Sequence, residues 1–120
     1  MKGKAKMKKY SFNVGLDTEL GIRYGIARLT VTDNKVCGLL SILNHTEPFC
    51  GTINADSSCT VRGKIISLMK EVDYTAVGYI TDDMIILTVK TEKADYVLKG
   101  TPIKEKIQTE QGEDENGNSY

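Results

Sequence analysis

The chain of 120 residues has no tryptophan, two prolines, one histidine and three cysteines. One histidine and three cysteines without a C-x-x-C pair do not assemble a tetrahedral ligand set, so we expect no metal site. An odd number of cysteines also argues against a disulfide framework. We therefore expect Cys37, Cys50 and Cys59 to act as small apolar fillers.

Long apolar runs and an excess of charge of one sign are absent too. No segment approaches the roughly 18 apolar residues of a membrane helix, and no apolar region follows the lysine-rich start as it would in a signal peptide. The 16 basic residues balance the 16 acidic residues, which leaves no global field for nucleic acid. We expect a cytoplasmic protein without a nucleic-acid or membrane partner.

Motifs for catalysis and cofactor binding are likewise lacking. Neither G-x-G-x-x-G nor the P-loop pattern occurs, so we expect no cofactor. His45 with Glu47 is the best base-and-orienter pair, but no activated nucleophile accompanies it, because Cys37 and Cys50 show no neighbouring positive charge along the chain. We interpret His45 as an exposed turn residue and expect no catalytic residue and no enzyme.

What the chain does contain is a period-two pattern of apolar residues, which is typical of β-strands. One segment, 65–71, also fits a single helical turn between two strands. The predicted strands are 8–15, 20–32, 35–43, 46–54, 58–66, 72–81, 84–90 and 93–101.

Four short polar segments predict two-residue hairpin loops, namely Asp33-Asn34, Asn44-His45, Asp82-Asp83 and Thr91-Glu92. Every second residue of these strands is apolar, and each loop sets the apolar residues of one strand opposite those of the next. The whole sheet therefore has one apolar face. The second loop, for example, sets Leu39 opposite Cys50 and Gly38 opposite Gly51.

Glycines recur inside these strands and fall on the predicted apolar face, as Gly38, Gly51, Gly63 and Gly78 do. A glycine inside a strand marks a bend or a close approach, and a repeated one indicates a sheet that curls on itself. We predict an all-β, eight-stranded antiparallel up-and-down meander that closes into a small β-barrel, with a two-layer β-sandwich as the alternative. The barrel domain is predicted at residues 9–103, between a basic N-terminal arm at 1–8 and a flexible acidic tail at 104–120.

The strand number and the meander resemble calycin-type and streptavidin-like barrels in architecture only. The G-x-W motif near the first strand of those families has no counterpart here, because the chain contains no tryptophan. No site residue is therefore carried over from them.

A barrel of this size either fills with its own side chains or holds one small ligand. Our leading hypothesis is non-catalytic binding of a small apolar or amphipathic molecule in the interior, since a few polar groups among apolar walls orient such guests. The predicted lining residues are Tyr10, Phe12, Phe49, Tyr74 and Tyr96, with Glu47 at the mouth.

The alternative hypothesis is a structural or oligomerisation module with a packed interior and an apolar outer patch. Neighbouring apolar residues on the outer face form such a patch, and a two-fold homodimer is its simplest use. Two patches are predicted, one of Tyr24, Leu39 and Leu43, the other of Val77, Tyr79, Ile86 and Val97.

Overall fold

A computed structural model describes residues 7–67 and 70–103, and it shows eight antiparallel strands that pair in chain order. The last strand pairs with the first, so the sheet closes into a barrel, and the predicted fold class is confirmed. The described residues contain no helix. The strands are β1 (Met7–Thr18), β2 (Gly21–Thr32), β3 (Lys35–Ile42), β4 (His45–Ile53), β5 (Ser58–Ser67), β6 (Lys70–Ile80), β7 (Ile85–Thr91) and β8 (Asp95–Pro102).

The strand ends differ from the prediction by a few residues. Met7 and Lys8, assigned to the N-terminal arm, already pair with β2. The helical turn predicted at 65–71 is wrong where the structure describes it, because residues 65–67 end β5 and residues 70–71 begin β6. The rest of the predicted arm, residues 1–6, and the predicted acidic tail, 104–120, lie outside the described residues.

Alternate residues of every strand point into the barrel, and this inner face carries the core. All of the buried side chains in the described residues are apolar or aromatic, and none is charged. The core members are Phe12, Val14, Leu16, Ala27, Leu29, Val36, Leu40, Ile42, Phe49, Cys59, Val61, Ile65, Tyr74, Ala76, Ile80, Ile85, Leu87, Val89 and Leu98.

The predicted inward glycines bring neighbouring strands close together. A Cβ atom at Gly51 would overlap the carbonyl oxygen of Thr60 and lie 2.6 Å from the Cα of Val61. A Cβ at Gly38 would overlap the carbonyl oxygen of Arg28 in the same way. Because these conflicts are with backbone rather than with flexible side chains, the strands reach this curvature only where the side chain is absent.

The β2–β3 hairpin has the predicted register, with Thr32 opposite Lys35. The β3–β4 register is shifted by two residues from the prediction, because the turn residues are Leu43 and Asn44, with φ of 56° and 66°. Both residues occupy the left-handed region that a type I′ turn requires. A two-residue shift keeps every side chain on its predicted face but changes its partner, so that Cys50 lies opposite Cys37 and not Leu39.

The β6–β7 and β7–β8 hairpins are built alike, each beginning with a threonine. The Oγ1 of Thr81 accepts hydrogen bonds from the backbone N–H of Asp83 and Met84, and the Oγ1 of Thr91 accepts them from Lys93 and Ala94. The predicted β6–β7 register is confirmed. The predicted β7–β8 register is wrong by two residues, because the loop centres on residues 92–93 and Leu98, not Tyr96, lies opposite Leu87.

Candidate functional site

The residues predicted to line a ligand cavity do face the barrel interior, and the structure shows how they are packed there. Phe12, Phe49 and Tyr74 are at most 7% exposed, and Tyr10 and Tyr96 are partly buried against the same core. A cavity that admits a small molecule, typically about 300 Å³ or more, would leave the surrounding side chains exposed to that space. The described core side chains are each at most 7% exposed, so they leave little surface that a guest could contact.

Tyr74 is the buried aromatic residue that carries a polar atom into this core. It lies opposite Gly63, and its hydroxyl occupies the space beside that glycine, 2.7 Å from where a Cβ would be. Burial raises the pKa of Tyr74 to about 12. Its hydroxyl makes no hydrogen bond to another residue in the described part of the chain, so the phenol is held neutral by its apolar surroundings.

Tyr10, near the start of β1, is partly buried and packs against the core at one end of the barrel. Its ring stacks on Phe12, with centroids 5.8 Å apart and planes 9° from parallel. Its hydroxyl donates a hydrogen bond to Oδ1 of Asp82 in the β6–β7 turn, at 3.1 Å, and Nζ of Lys8 donates to the same oxygen at 2.7 Å.

These contacts change the pKa values of the three groups at that end of the barrel. The hydrogen bond from Lys8 lowers the pKa of Asp82, and the same hydrogen bond raises the pKa of Lys8. Burial, followed by the hydrogen bond to Asp82, raises the pKa of Tyr10. The hydrogen bonds among Lys8, Tyr10 and Asp82 thus link β1 to the β6–β7 turn at this end of the barrel.

Glu47 and His45 lie at the other end, where β4 begins. His45 is the first residue of β4 rather than part of the turn, and it is exposed as expected. Glu47 is half-buried on the same face and pairs with Leu40. Within residues 7–67 and 70–103 the two side chains share no hydrogen bond or ion pair, and no group of three or more His, Cys, Asp or Glu residues is placed to hold a metal ion.

Two depressions lie on the outside of the described part of the barrel. The larger, about 540 Å³, is an open hollow beside the β3–β4 turn, with Arg23, Tyr24, Asn44 and His45 among its lining residues. The smaller, about 360 Å³, lies between β5 and β6 near Tyr79. Both are shallow and open to solvent, so neither encloses a guest.

The outer wall from β6 through β7, β8 and β1 to β2 carries an apolar surface. Two adjacent rows of outward residues cross these five strands, and their pairing follows from the registers. One row runs Tyr79, Ile86, Lys99, Gly15, Tyr24; the other runs Val77, Thr88, Val97, Asp17, Ile22. We call the six apolar members the outer patch: Val77, Tyr79, Ile86, Val97, Ile22 and Tyr24.

The outer patch contains one predicted patch whole and part of the other. Val77, Tyr79, Ile86 and Val97 lie together as neighbours on three strands. Tyr24 joins them across Gly15, where the missing side chain leaves room for Ile22 and Tyr24 to pack over β1. Leu39 lies opposite Arg28, away from Tyr24, and Leu43 packs against the core from the turn, so these two do not belong to the same surface.

Cys37 and Cys50 are the feature that the sequence analysis interpreted wrongly. They are exposed on the outer face of β3 and β4 and joined by a disulfide bond, with their Cα atoms 4.0 Å apart. Arg62 on β5 lies directly opposite Cys50, so positive charge does neighbour the pair. Only Cys59 is the buried apolar filler that was expected.

No family model, curated protein or solved structure matches this chain. Among the described residues no helix has the length and apolar character needed to cross a membrane. Function therefore has to be argued from the barrel's own surfaces.

Proposed function

We propose that this protein is a non-catalytic structural module, a packed barrel that associates with a second copy of itself through the outer patch. The observation that carries the proposal is the combination of a core whose side chains are at most 7% exposed with an outer patch that draws its six apolar side chains from β2, β6, β7 and β8. Tyr24 is 77% exposed and Ile22 and Tyr79 are about half exposed. Apolar side chains that cluster across neighbouring strands mark an interaction site, whereas scattered ones do not.

The charges inside the patch favour a copy of the same chain as the partner. Asp17 and Lys99 stand in the middle of the patch, on the adjacent strands β1 and β8 and in different rows. Both are exposed, and within the described residues neither takes part in an ion pair. The two rows thus offer one acidic and one basic group at diagonal positions, which is a self-complementary pattern.

A two-fold axis lying in the interface along the other diagonal satisfies this pattern. It passes over Gly15 and Val97, so each faces its own copy, and it sets Lys99 opposite the partner's Asp17 twice. Neighbouring strands are about 4.8 Å apart and two residues rise about 6.8 Å, so this axis lies at about 35° to the strands and the strands of the two barrels cross at about 70°. The interface is isologous, as two-fold symmetry requires.

Charge reversal at the two central positions tests this arrangement. Lys99→Glu places like charges opposite each other twice per dimer, and we expect the dimer Kd to rise by about tenfold or more. Asp17→Lys has the same effect alone, while the double variant Asp17→Lys/Lys99→Glu restores the wild-type Kd. Lys35→Glu, on β3 outside the patch, makes the same charge change and serves as the matched control.

Sedimentation equilibrium over a wide range of protein concentration measures the dimer Kd of each variant. Restoration by the double variant supports the two-fold contact, because only a direct pairing of these positions recovers affinity when both charges are exchanged. A wild-type chain that stays monomeric at the highest concentration contradicts the proposal. A dimer that responds to Lys35→Glu as strongly as to Lys99→Glu contradicts the choice of surface.

Interior binding of a small apolar molecule remains our earlier hypothesis, and the packed core makes it the weaker one. A guest would have to displace Phe12, Phe49 or Tyr74 from close contacts, which removes apolar burial that the fold relies on. We also propose a cytoplasmic location and the absence of enzymatic activity. Within the described residues, His45 and Glu47 share no hydrogen bond or ion pair, which supports the proposed absence of enzymatic activity.

A further inference from the structure

Cys37 and Cys50 lie at one position of the β3–β4 ladder, on the outside of the barrel and away from the outer patch. Their Cα separation of 4.0 Å belongs to the closer of the two alternating spacings in an antiparallel pair. Backbone pairing continues on both sides, from Lys35 opposite Thr52 to Ile42 opposite His45. The strands therefore hold the two sulfur atoms near each other whether or not the bond is closed.

The surroundings of the pair favour a thiolate. Arg62 lies directly opposite Cys50 on β5. Lys64, two residues further along the same outer face, is ion-paired with Glu71 at 3.4 Å, so Arg62 is the main cation beside Cys50. Lys35 precedes Cys37 by two residues on the same face of β3. Thr30 lies opposite Cys37 on β2, and no carboxylate occupies a described position directly beside either cysteine on this face. Neighbouring cations stabilise a thiolate and make it a better leaving group.

Cys59 provides a contrast within the same chain. It faces the core from β5, is 5% exposed, and burial raises its pKa to about 11. It lies opposite Gly78 and Ile53, and it takes no part in the disulfide. A thiol in this setting neither meets a reagent nor ionises near neutral pH, so exchange at the surface pair is free of a competing third sulfur.

We propose that Cys37 and Cys50 form a reversible thiol–disulfide couple on the barrel wall, which exchanges with low-molecular-weight thiols of the glutathione class. This proposal is independent of dimer formation, because the pair and the outer patch share no residue. It makes β3 and β4 a redox-responsive site on the outside of the barrel.

An external thiolate attacks Sγ of Cys37 and forms a mixed disulfide, while the Cys37–Cys50 bond breaks and its electron pair leaves on Sγ of Cys50, beside Arg62. A second external thiolate attacks the external sulfur of the mixed disulfide and releases the Cys37 thiolate. The protein disulfide is reduced to two thiols, which take up the two protons, and two external thiols are oxidised to one external disulfide.

The compartment decides which form is populated. In a reducing cytoplasm, disulfides of mesophilic proteins are transient or redox-sensing, whereas in an oxidising compartment they persist. With the proposed cytoplasmic location, the pair is mainly a dithiol that closes when the ratio of oxidised to reduced glutathione rises.

The test equilibrates the full chain in buffers with a graded ratio of reduced to oxidised glutathione, followed by acid quenching, alkylation of free thiols and mass spectrometry. We expect one two-electron transition at Cys37 and Cys50, unchanged in Cys59→Ser, with circular dichroism the same on both sides of it. A pair that stays oxidised in pure reduced glutathione, or stays reduced in pure oxidised glutathione, overturns the proposal.

The role of Arg62 is tested separately by the rate at which iodoacetamide alkylates Cys50. The measurement uses the Cys37→Ser chain, with and without Arg62→Gln, and Lys90→Gln on β7 as a control for the loss of one positive charge. We expect Arg62→Gln to slow alkylation near neutral pH by roughly threefold to tenfold, because less of the thiol is ionised. Equal rates in the Arg62→Gln and Lys90→Gln chains overturn the assignment of Cys50 as the leaving sulfur.

Discussion

Replacing Gly51 by alanine tests whether the inward glycines permit the barrel to close. The added methyl group would overlap the carbonyl oxygen of Thr60 and lie 2.6 Å from the Cα of Val61. Neither atom can move without shifting β5, so the strain is at the upper end of that caused by overpacking. Overpacking costs about 1–3 kcal/mol and occasionally more, and we expect Gly51→Ala to lose about 3 kcal/mol of unfolding free energy.

Gly15→Ala is the matched control, because Gly15 faces outward on β1; since Gly15 also lies on the proposed two-fold axis, both variants are compared at protein concentrations below the dimer Kd. A Cβ there would meet first the Cγ2 atom of Ile22, at 2.9 Å, which belongs to a half-exposed side chain and not to backbone. We expect its cost to stay below about 1 kcal/mol, as is usual for surface positions.

Urea unfolding followed by circular dichroism measures both values, and the thermal midpoint provides a second reading. For a domain of this size, about 3 kcal/mol corresponds to a fall in Tm of roughly 12–24 °C. Equal losses in Gly51→Ala and Gly15→Ala would refute the reasoning, since they would mean that inward and outward glycines are equivalent to the fold.

Three further outcomes follow from individual side chains. Tyr74 has its pKa raised from about 10 to about 12 in the folded state, so the protein loses stability as the pH rises from 10 to 12; Tyr74→Phe removes that loss, which urea titrations at pH 9 and pH 11.5 measure. Asp82 has its pKa lowered, so its contribution is present above pH 3.8 and lost as the pH falls through the folded value; the difference in Tm between wild type and Asp82→Asn therefore shrinks in acid. His45→Ala changes the dimer Kd in sedimentation much less than Lys99→Glu does, because His45 only borders the outer patch, in the hollow that Tyr24 also lines.

The sequence predicts the strand number, the inner face and the inward glycines correctly because all three depend on period-two alternation. That pattern survives an error of two residues in any hairpin, since such a shift returns every side chain to its own face. The β3–β4 and β7–β8 registers were wrong by two residues, and the predicted lining residues Phe12, Phe49 and Tyr74 nevertheless lie in the core.

A two-residue error in register leaves each side chain on its own face, which is why inward residues could be predicted. The same error changes the partner of each residue, which is why the disulfide could not be predicted. Which cysteine lies opposite which residue depends on the register, and the register depends on the turn. In the β3–β4 turn Leu43 has a left-handed backbone conformation, with φ of 56°, and the residue preferences of turns argue against leucine there. The β7–β8 turn, in contrast, could have been predicted from the sequence. Thr91 begins it as Thr81 begins the preceding hairpin, and each threonine accepts a backbone hydrogen bond from the residue three positions later.

The outer patch depends on register across four strand pairs, including the closure of β8 on β1, so local patterns reveal only pieces of it. Gly15 is the residue that joins the two halves, by leaving space for Tyr24 above β1. No residue near Gly15 in sequence signals this, because the contact spans a hairpin.

Native mass spectrometry of the gently purified protein is the most direct single test of the central claim, that the barrel is filled by its own side chains and forms a homodimer. We predict ions of one and of two bare polypeptides, the dimer gaining intensity as the protein concentration rises. A monomer that carries a lipid-sized molecule through gentle activation would contradict the account, because it would show that the interior makes room for a guest.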